Sequence, residues 1–325
     1  MTIILTRVLR PYVGTLLLSA ALAAAVACGG GSDDLSESAS ETEAPAQSAD
    51  PSGVPAAPGQ SSESSELQVA LATSDLSVGL NRFVFGVIDR ESGPFRDSEV
   101  QIETYYLTPE GADGPRETRS AVWRMWPVGP GGVYTAELTF DEPGDWGVGL
   151  AIAEPDGTVR GASTRVQVKD LSAAPAIGAT IPRSVNKTSN DVAALDELTT
   201  DPDPDPDLYE LTIAEAVDDP RPLVVVFATP AYCQTATCGP QVEVVKGLKT
   251  ENEGEVNFIH IEVYDNPLEI QGDLSRGRIS PTFTEWDLPS EPWTFIVDED
   301  GVLRAKFEGF ATSQELEDAL AAVLP

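Results

Sequence analysis

Residues 223–240 read LVVVFATPAYCQTATCGP. Leu223, Val224, Val225, Val226 and Phe227 make an unbroken apolar run, which predicts a strand buried on both faces. A short loop follows, carrying Cys233 and Cys238 with four residues between them. Gly239 and Pro240 then open a helical pattern of Val242, Val245 and Leu248. A central strand that delivers a cysteine to the start of a helix suits thiol chemistry. The helix N-terminus carries partial positive charge and unpaired N–H groups, and both favour thiolate over thiol. The stretch is read as a redox site, with the remainder of the chain as anchor, spacer and scaffold.

The chain of 325 residues has room for about two domains plus tails. A hydrophobic fraction of 41% supports real cores, and the formal charge is −33. Such acidity excludes nucleic acid as a partner, because binding it rests on Lys and Arg meeting phosphate. Residues 1–27 have Arg7 and Arg10 in a basic start, then an apolar run that ends in small residues before Cys28. This is the pattern of a signal peptide. A Cys directly after small residues resembles the bacterial lipoprotein box, which implies lipidation at Cys28 and a membrane anchor on the extracytoplasmic face. Ordinary cleavage beside a chance Cys, or an uncleaved anchor, are the alternatives. With Cys28 acylated, Cys233 and Cys238 remain as an even pair in a compartment where disulfides persist.

Residues 28–66 contain Gly, Ser, Pro, Ala and acid, with no Lys or Arg. Too little apolar surface is present to offset ordering, so a disordered tether with a mean span of ~35 Å is expected. Over residues 67–169 the period changes to two. Phe83–Ile88, the face of Val100, Ile102, Thr104 and Tyr106, and the alternation of Tyr134, Ala136, Leu138 and Phe140 read as strands. Trp146, Val148, Leu150 and Ile152 lead through Pro155-Asp156-Gly157, a hairpin signal, to Val166 and Val168. Short strands with turns between them predict a β-sandwich. The corner Pro143-Gly144-Asp145-Trp146 resembles corners of bacterial immunoglobulin-like domains, and Trp123 and Trp126 are read as core before binding face. Residues 170–207 form an Asp-Pro-rich linker, whose prolines from 202 to 206 predict an extended, semi-rigid spacer. Those alternating prolines also make a converging calcium cage difficult.

From residue 208 the pattern becomes α/β. Thr212 to Glu215 is a capping box. The apolar strand, the cysteine loop and a helix follow, then VNFIHIEV at 256–263, then Pro292 leading WTFIV into Asp298-Glu299-Asp300-Gly301 and a second strand. A last helix carries Leu316, Ala319, Leu320 and Val323. This order resembles the thioredoxin-like fold over residues 208–325. The chain also looks like uncharacterised thioredoxin-domain lipoproteins of Gram-positive-type bacteria. The expected fold class is therefore an α/β thioredoxin-like C-terminal domain, an all-β immunoglobulin-like sandwich and a disordered N-terminal tether.

The resemblance implies thiol–disulfide exchange through Cys233 and Cys238, with Pro292 as the family's cis-proline. It implies protein thiols and disulfides as partners, an upstream membrane electron donor, and no cofactor or metal. Three departures stand out. The family's usual spacing has two residues between the cysteines, not four. Five residues of helix rise ~7.5 Å, beyond the usual separation for a disulfide, so Cys233 must fold back from a loop if the two pair. Gln241 stands where Cys-Gly-Pro would be followed by the second Cys, which leaves open whether Cys238 or Cys233 attacks. Val226 stands where a proton-handling Asp is common. Two alternatives remain. One is Cu(I) delivery, which needs His260, the one histidine, beside the sulfurs. The other is a non-catalytic interaction module with a structural disulfide.

Overall fold

The structure is a computed structural model that describes residues 67–126, 131–154, 156–233 and 237–324. The first part is a run of strands: β1 (Leu67–Leu71), β2 (Gly79–Asp89), β3 (Gly93–Pro94), β4 (Glu99–Thr108), β5 (Gly111–Met125), β6 (Gly132–Phe140), β7 (Gly144–Ala153) and β8 (Val159–Val168). They form one antiparallel sheet in the order β1-β2-β6-β5-β4-β7-β8, with β3 added to β2. The path nearly closes on itself. Val78 N–H donates to the Lys169 carbonyl at 2.9 Å, and Lys169 N–H donates to that of Leu76 at 2.9 Å. Inside lie Phe83, Phe85, Ile102, Tyr134, Leu138 and Trp146, alternate residues of neighbouring strands. Along β4 the inward face is Val100, Ile102 and Thr104, and Tyr106 continues it past a register shift between Thr104 and Tyr106, its ring 5.4 Å from that of Trp146. Trp123 packs against this core, 4.9 Å from the Tyr134 ring, whereas Trp126 is exposed.

The second part begins with α1 (Ile213–Asp218), held by a complete capping box between Thr212 and Glu215. It continues through β9 (Leu223–Ala228), α2 (Cys238–Glu251), β10 (Asn257–Glu262), α3 (Pro267–Ile270), α4 (Pro281–Glu285), β11 (Trp293–Val297), β12 (Leu303–Glu308) and α5 (Ser313–Ala321). A four-stranded sheet runs β10-β9-β11-β12, with β10 parallel to β9 and β11 antiparallel to both its neighbours. All of β9 is buried. Val224, Val226 and Ala228 face a core shared with Val242, Val245 and Leu248 of α2. Val225 and Phe227 face another, shared with Ile259, Trp286 and Phe295. The β11–β12 turn depends on Gly301, whose φ of +74° is costly for a residue with a Cβ.

The expected fold class needs correction on both counts. The described chain is mostly β: a nearly closed, barrel-like antiparallel sheet plus a second sheet, with few helices. It is neither an immunoglobulin-like sandwich nor an overall α/β thioredoxin-like architecture. The first error lies at β5, which spans 15 residues. Its earlier residues pair with β4 and its Val122–Met125 end pairs with β6, so one bent strand joins what would otherwise be two stacked sheets. Residues 111–120 carry Gly, Pro and charge without alternation, and no strand signal shows there. The second error is one of proportion. Among the described residues α2, with 14, is the longest helix, and α3 and α4 are single turns.

Residues 170–207 lie on the protein instead of standing off it. Leu198 belongs to the core beside α2, with Val192 and Leu195 packed against it. The Asp-Pro run is tied to α2 by Lys246 to Asp201 at 2.6 Å, and by Lys249 to Asp205 at 2.9 Å and to Asp207 at 2.6 Å. Among the described residues no helix is long and apolar enough to cross a membrane.

Trp146 is fully buried in the barrel, its Nε1–H donating to the Glu142 carbonyl at 3.0 Å. Trp146→Ala is expected to cost ~3–5 kcal/mol in urea unfolding, through lost burial and the cavity left behind.

Candidate functional site

β9 ends at Ala228, and the chain turns through Thr229 and Pro230 into the cysteine loop. Cys233 lies in that loop and Cys238 is the first residue of α2. The two are joined as a disulfide with Cα atoms 5.9 Å apart, inside the usual range of about 4.4–6.8 Å. Cys233 is brought to the helix start, which removes the obstacle that the spacing posed. The helix cap, Thr237, gives no side-chain hydrogen bond to the first turn. Instead Cys238 N–H donates to Cys233 Sγ at 3.3 Å. A sulfur thus takes up one of the free N–H groups of the first turn, and the same N–H would stabilise a thiolate there.

Exposure separates the two sulfurs. Cys238 is 0% exposed, whereas Cys233 is only partly buried. Solvent therefore reaches Cys233, and its helix-start position shelters Cys238. Gln241, the residue after Cys238-Gly239-Pro240, is buried and structural. Its Nε2 donates to Thr294 Oγ1 at 3.0 Å, and its Oε1 accepts from Ala311 N–H at 2.8 Å. It ties α2 to β11 and to the segment after β12.

Beside Cys238 stands a carboxyl that the sequence reading did not single out. Glu291 Oε2 lies 3.7 Å from Cys238 Sγ and accepts a hydrogen bond from Thr229 N–H at 3.0 Å. Burial, with repulsion from Glu262, pushes its pKa up to about 7 against the Thr229 bond. Glu262, at the end of β10, is itself buried and shifted upward by that burial, despite bonds from Thr229, Thr200 and the Val263 N–H. The carboxyl beside Cys238 thus comes from the residue before Pro292 and not from β9. Its signal was faint: a Glu directly before the Pro that leads a buried strand.

The Glu291–Pro292 peptide is cis. Pro292 is buried, and its carbonyl accepts from Gly309 N–H at 2.8 Å. Cys233, Cys238 and the Glu291–Pro292 step therefore converge on one place. Cys28 lies outside the described residues.

His260 is turned to other work. Its Nε2 is 3.1 Å from the Ala228 carbonyl, which can only accept, so Nε2 carries the proton. Nδ1 then accepts from the Tyr209 hydroxyl at 2.7 Å. Burial drives its pKa down to about 4, with the Ala228 bond opposing. With both ring nitrogens engaged, the copper alternative loses its third ligand.

No family model matches the chain, and no curated protein matches it. Among solved structures it is similar to chloroplastic thioredoxin z at 18% identity and a TM-score of 0.26, over 33% of this chain and 82% of that one. MTB dsbF gives 18% identity and a TM-score of 0.24, over 32% of this chain and 81% of its own. The chitinase ChiW from Paenibacillus sp. str. FPU-7 gives 16% identity and a TM-score of 0.19, over 34% of this chain and 9% of that one.

Once the pair is reduced, iodoacetamide at pH 7 is expected to label Cys233 at least ~10-fold faster than Cys238, as accessibility and thiolate character dictate. Peptide mass mapping against time reads this order, and equal rates would contradict it.

Proposed function

We propose that this protein is a thiol–disulfide oxidoreductase, lipid-anchored through Cys28 on the extracytoplasmic face of the membrane, that exchanges electrons with protein thiols. One observation carries the reading: a partly exposed sulfur under a helix-start N–H, bonded to a buried sulfur that touches a carboxyl of raised pKa. A staple needs neither the N–H nor the acid. The anchor rests on the residues around Cys28; an upstream membrane electron donor is what resets the pair when it reduces substrate disulfides, and an electron acceptor is what resets it when it oxidises substrate thiols.

In the oxidised form a substrate thiolate attacks Cys233 Sγ. The Cys233–Cys238 bond breaks, a mixed disulfide forms at Cys233, and the electron pair goes to Cys238 Sγ. Glu291, protonated below about pH 7, gives Cys238 its proton across the 3.7 Å contact. A second substrate thiolate then attacks the substrate sulfur of the mixed disulfide. Cys233 leaves as a thiolate held by Cys238 N–H, the substrate holds the new disulfide, and two electrons have entered the pair. Run backwards, Cys233 thiolate attacks a substrate disulfide, and Glu291 carboxylate takes the proton as Cys238 closes the bond.

Cys238→Ser is expected to trap, on non-reducing gels, a mixed disulfide with a disulfide-bonded protein substrate, native or scrambled, whose bond the Cys233 thiolate attacks. Cys233→Ser should trap none. If neither variant traps a partner, and the wild-type pair resists glutathione throughout its buffering range, the bond is a staple.

Glu291→Gln tests the acid. Corrected for the attacking thiolate fraction, reduction of the wild-type disulfide should slow as pH rises through about 7, and the variant should lose that step. Stability gives the matching sign. A carboxyl whose folded pKa is raised holds its proton longer in the folded state, so its deprotonation destabilises the fold between the ordinary Glu range and about pH 7. Melting temperature should therefore fall less from pH 5 to pH 8 in Glu291→Gln than in the wild type.

A further inference from the structure

We infer that the antiparallel β-module formed by β1 to β8 is part of the redox site, and that Glu308 is the positioning residue through which it holds the Ser290–Pro292 turn. The inference rests on the oxidoreductase reading for its purpose, but its geometry stands alone. Glu308 closes β12 and is 7% exposed. A carboxylate so buried needs several donors to be tolerated. Three of its donors come from the β-module. Ser74 N–H reaches Oε2 at 2.9 Å, and Asp75 N–H reaches the same oxygen at 3.2 Å. The Ser74 hydroxyl donates to Oε1. The remaining donor is Ser290, whose hydroxyl reaches Oε1 at 2.6 Å.

Ser290 sits immediately before Glu291, and its Oγ also accepts from Trp293 Nε1–H at 3.1 Å. Glu308 and its neighbour Gly309 therefore pin the turn on both sides of Glu291, at Ser290 and at the Pro292 carbonyl. The turn that sets Glu291 against Cys238 is thus held by a side chain that the Ser74–Asp75 loop grips. That loop is rigidly placed in turn. The buried Asp75 carboxylate accepts from Lys169 at 3.0 Å, from Ala173 N–H at 3.1 Å and from the Ser172 hydroxyl, where the chain leaves the module. Arg82 of β2 adds a second grip beside the first. It donates to the carbonyls of Glu308 and Phe310, each at 3.0 Å, and pairs with Glu315 at 3.0 Å. A module serving only as a spacer has no need to direct these groups at the strand end beside the sulfurs.

The test uses the full chain and the equilibrium of the Cys233–Cys238 pair with reduced and oxidised glutathione. That constant exists for any disulfide, so it can report on the pin whether or not protein substrates are turned over. Ser290→Ala and Ser74→Ala are each expected to shift it by about fivefold, the worth of one hydrogen bond, and to move the inflection near pH 7. Their double variant should fall short of the product of the single effects, since both act through Glu308. Glu308→Gln should shift it further, because an amide nitrogen would then face donors. Arg116→Ala, which removes the Asp113 and Asp141 pairs elsewhere on the module, should leave it unchanged. If Ser74→Ala and Ser290→Ala, both folded, leave the constant within about twofold of the wild type, the pin is refuted, even where exchange with protein thiols persists. Absence of that exchange beside the expected shifts would remove the oxidoreductase reading alone.

Discussion

Everything at the site depends on β9 being buried along its whole length. Both faces are apolar and each faces a different core, α2 on one side and the Trp286–Phe295 cluster on the other. A strand so placed cannot slide, because a shift of one residue would exchange the two faces. Its end is therefore a fixed point, and the loop after Ala228 starts from it. Burial supplies the rigidity, and the loop spends it on two sulfurs and a helix start.

Around that fixed point the polar groups are arranged by what burial permits. A carboxyl taken out of water keeps its proton unless donors compensate. Glu291 has one backbone donor and a like charge nearby, so it stays near neutrality; Asp75 has several donors, which outweigh its burial and hold its pKa below the usual range. The two acids sit at opposite ends of one chain of contacts. Asp75 is committed to structure, whereas Glu291 is left in a state from which a proton can move. His260 follows the same rule with the opposite sign, since burial without a negative partner in contact makes it neutral and fixes it as a bridge between Tyr209 and Ala228.

Much of this was legible in residue order. The apolar run at 223–227, the Thr212–Glu215 cap, the Asp-Glu-Asp-Gly turn and the alternation through Tyr134 to Phe140 all report local energetics. β5 was not legible, because a strand that changes partners midway shows one pattern in neither half. The Asp-Pro run was misleading for a related reason. Its prolines do keep α-helix out, although Pro206 opens a 3-10 turn to Tyr209. Whether the run stands in solvent or lies on α2, however, depends on Lys246 and Lys249, which are some forty residues away.

The sequence by itself determined that a buried strand leads into two cysteines at a helix start, that a proline precedes another buried strand, and that acid dominates the surface. These follow from short-range periodicity and from the bonding limits of single residues. Only the tertiary structure decided that the sulfurs meet, that Cys238 is the sheltered one, and that Glu291 and not a residue of β9 stands beside it. It also decided that the strands close towards a barrel. Each of these turns on groups that are distant along the chain and meet only when burial forces them together.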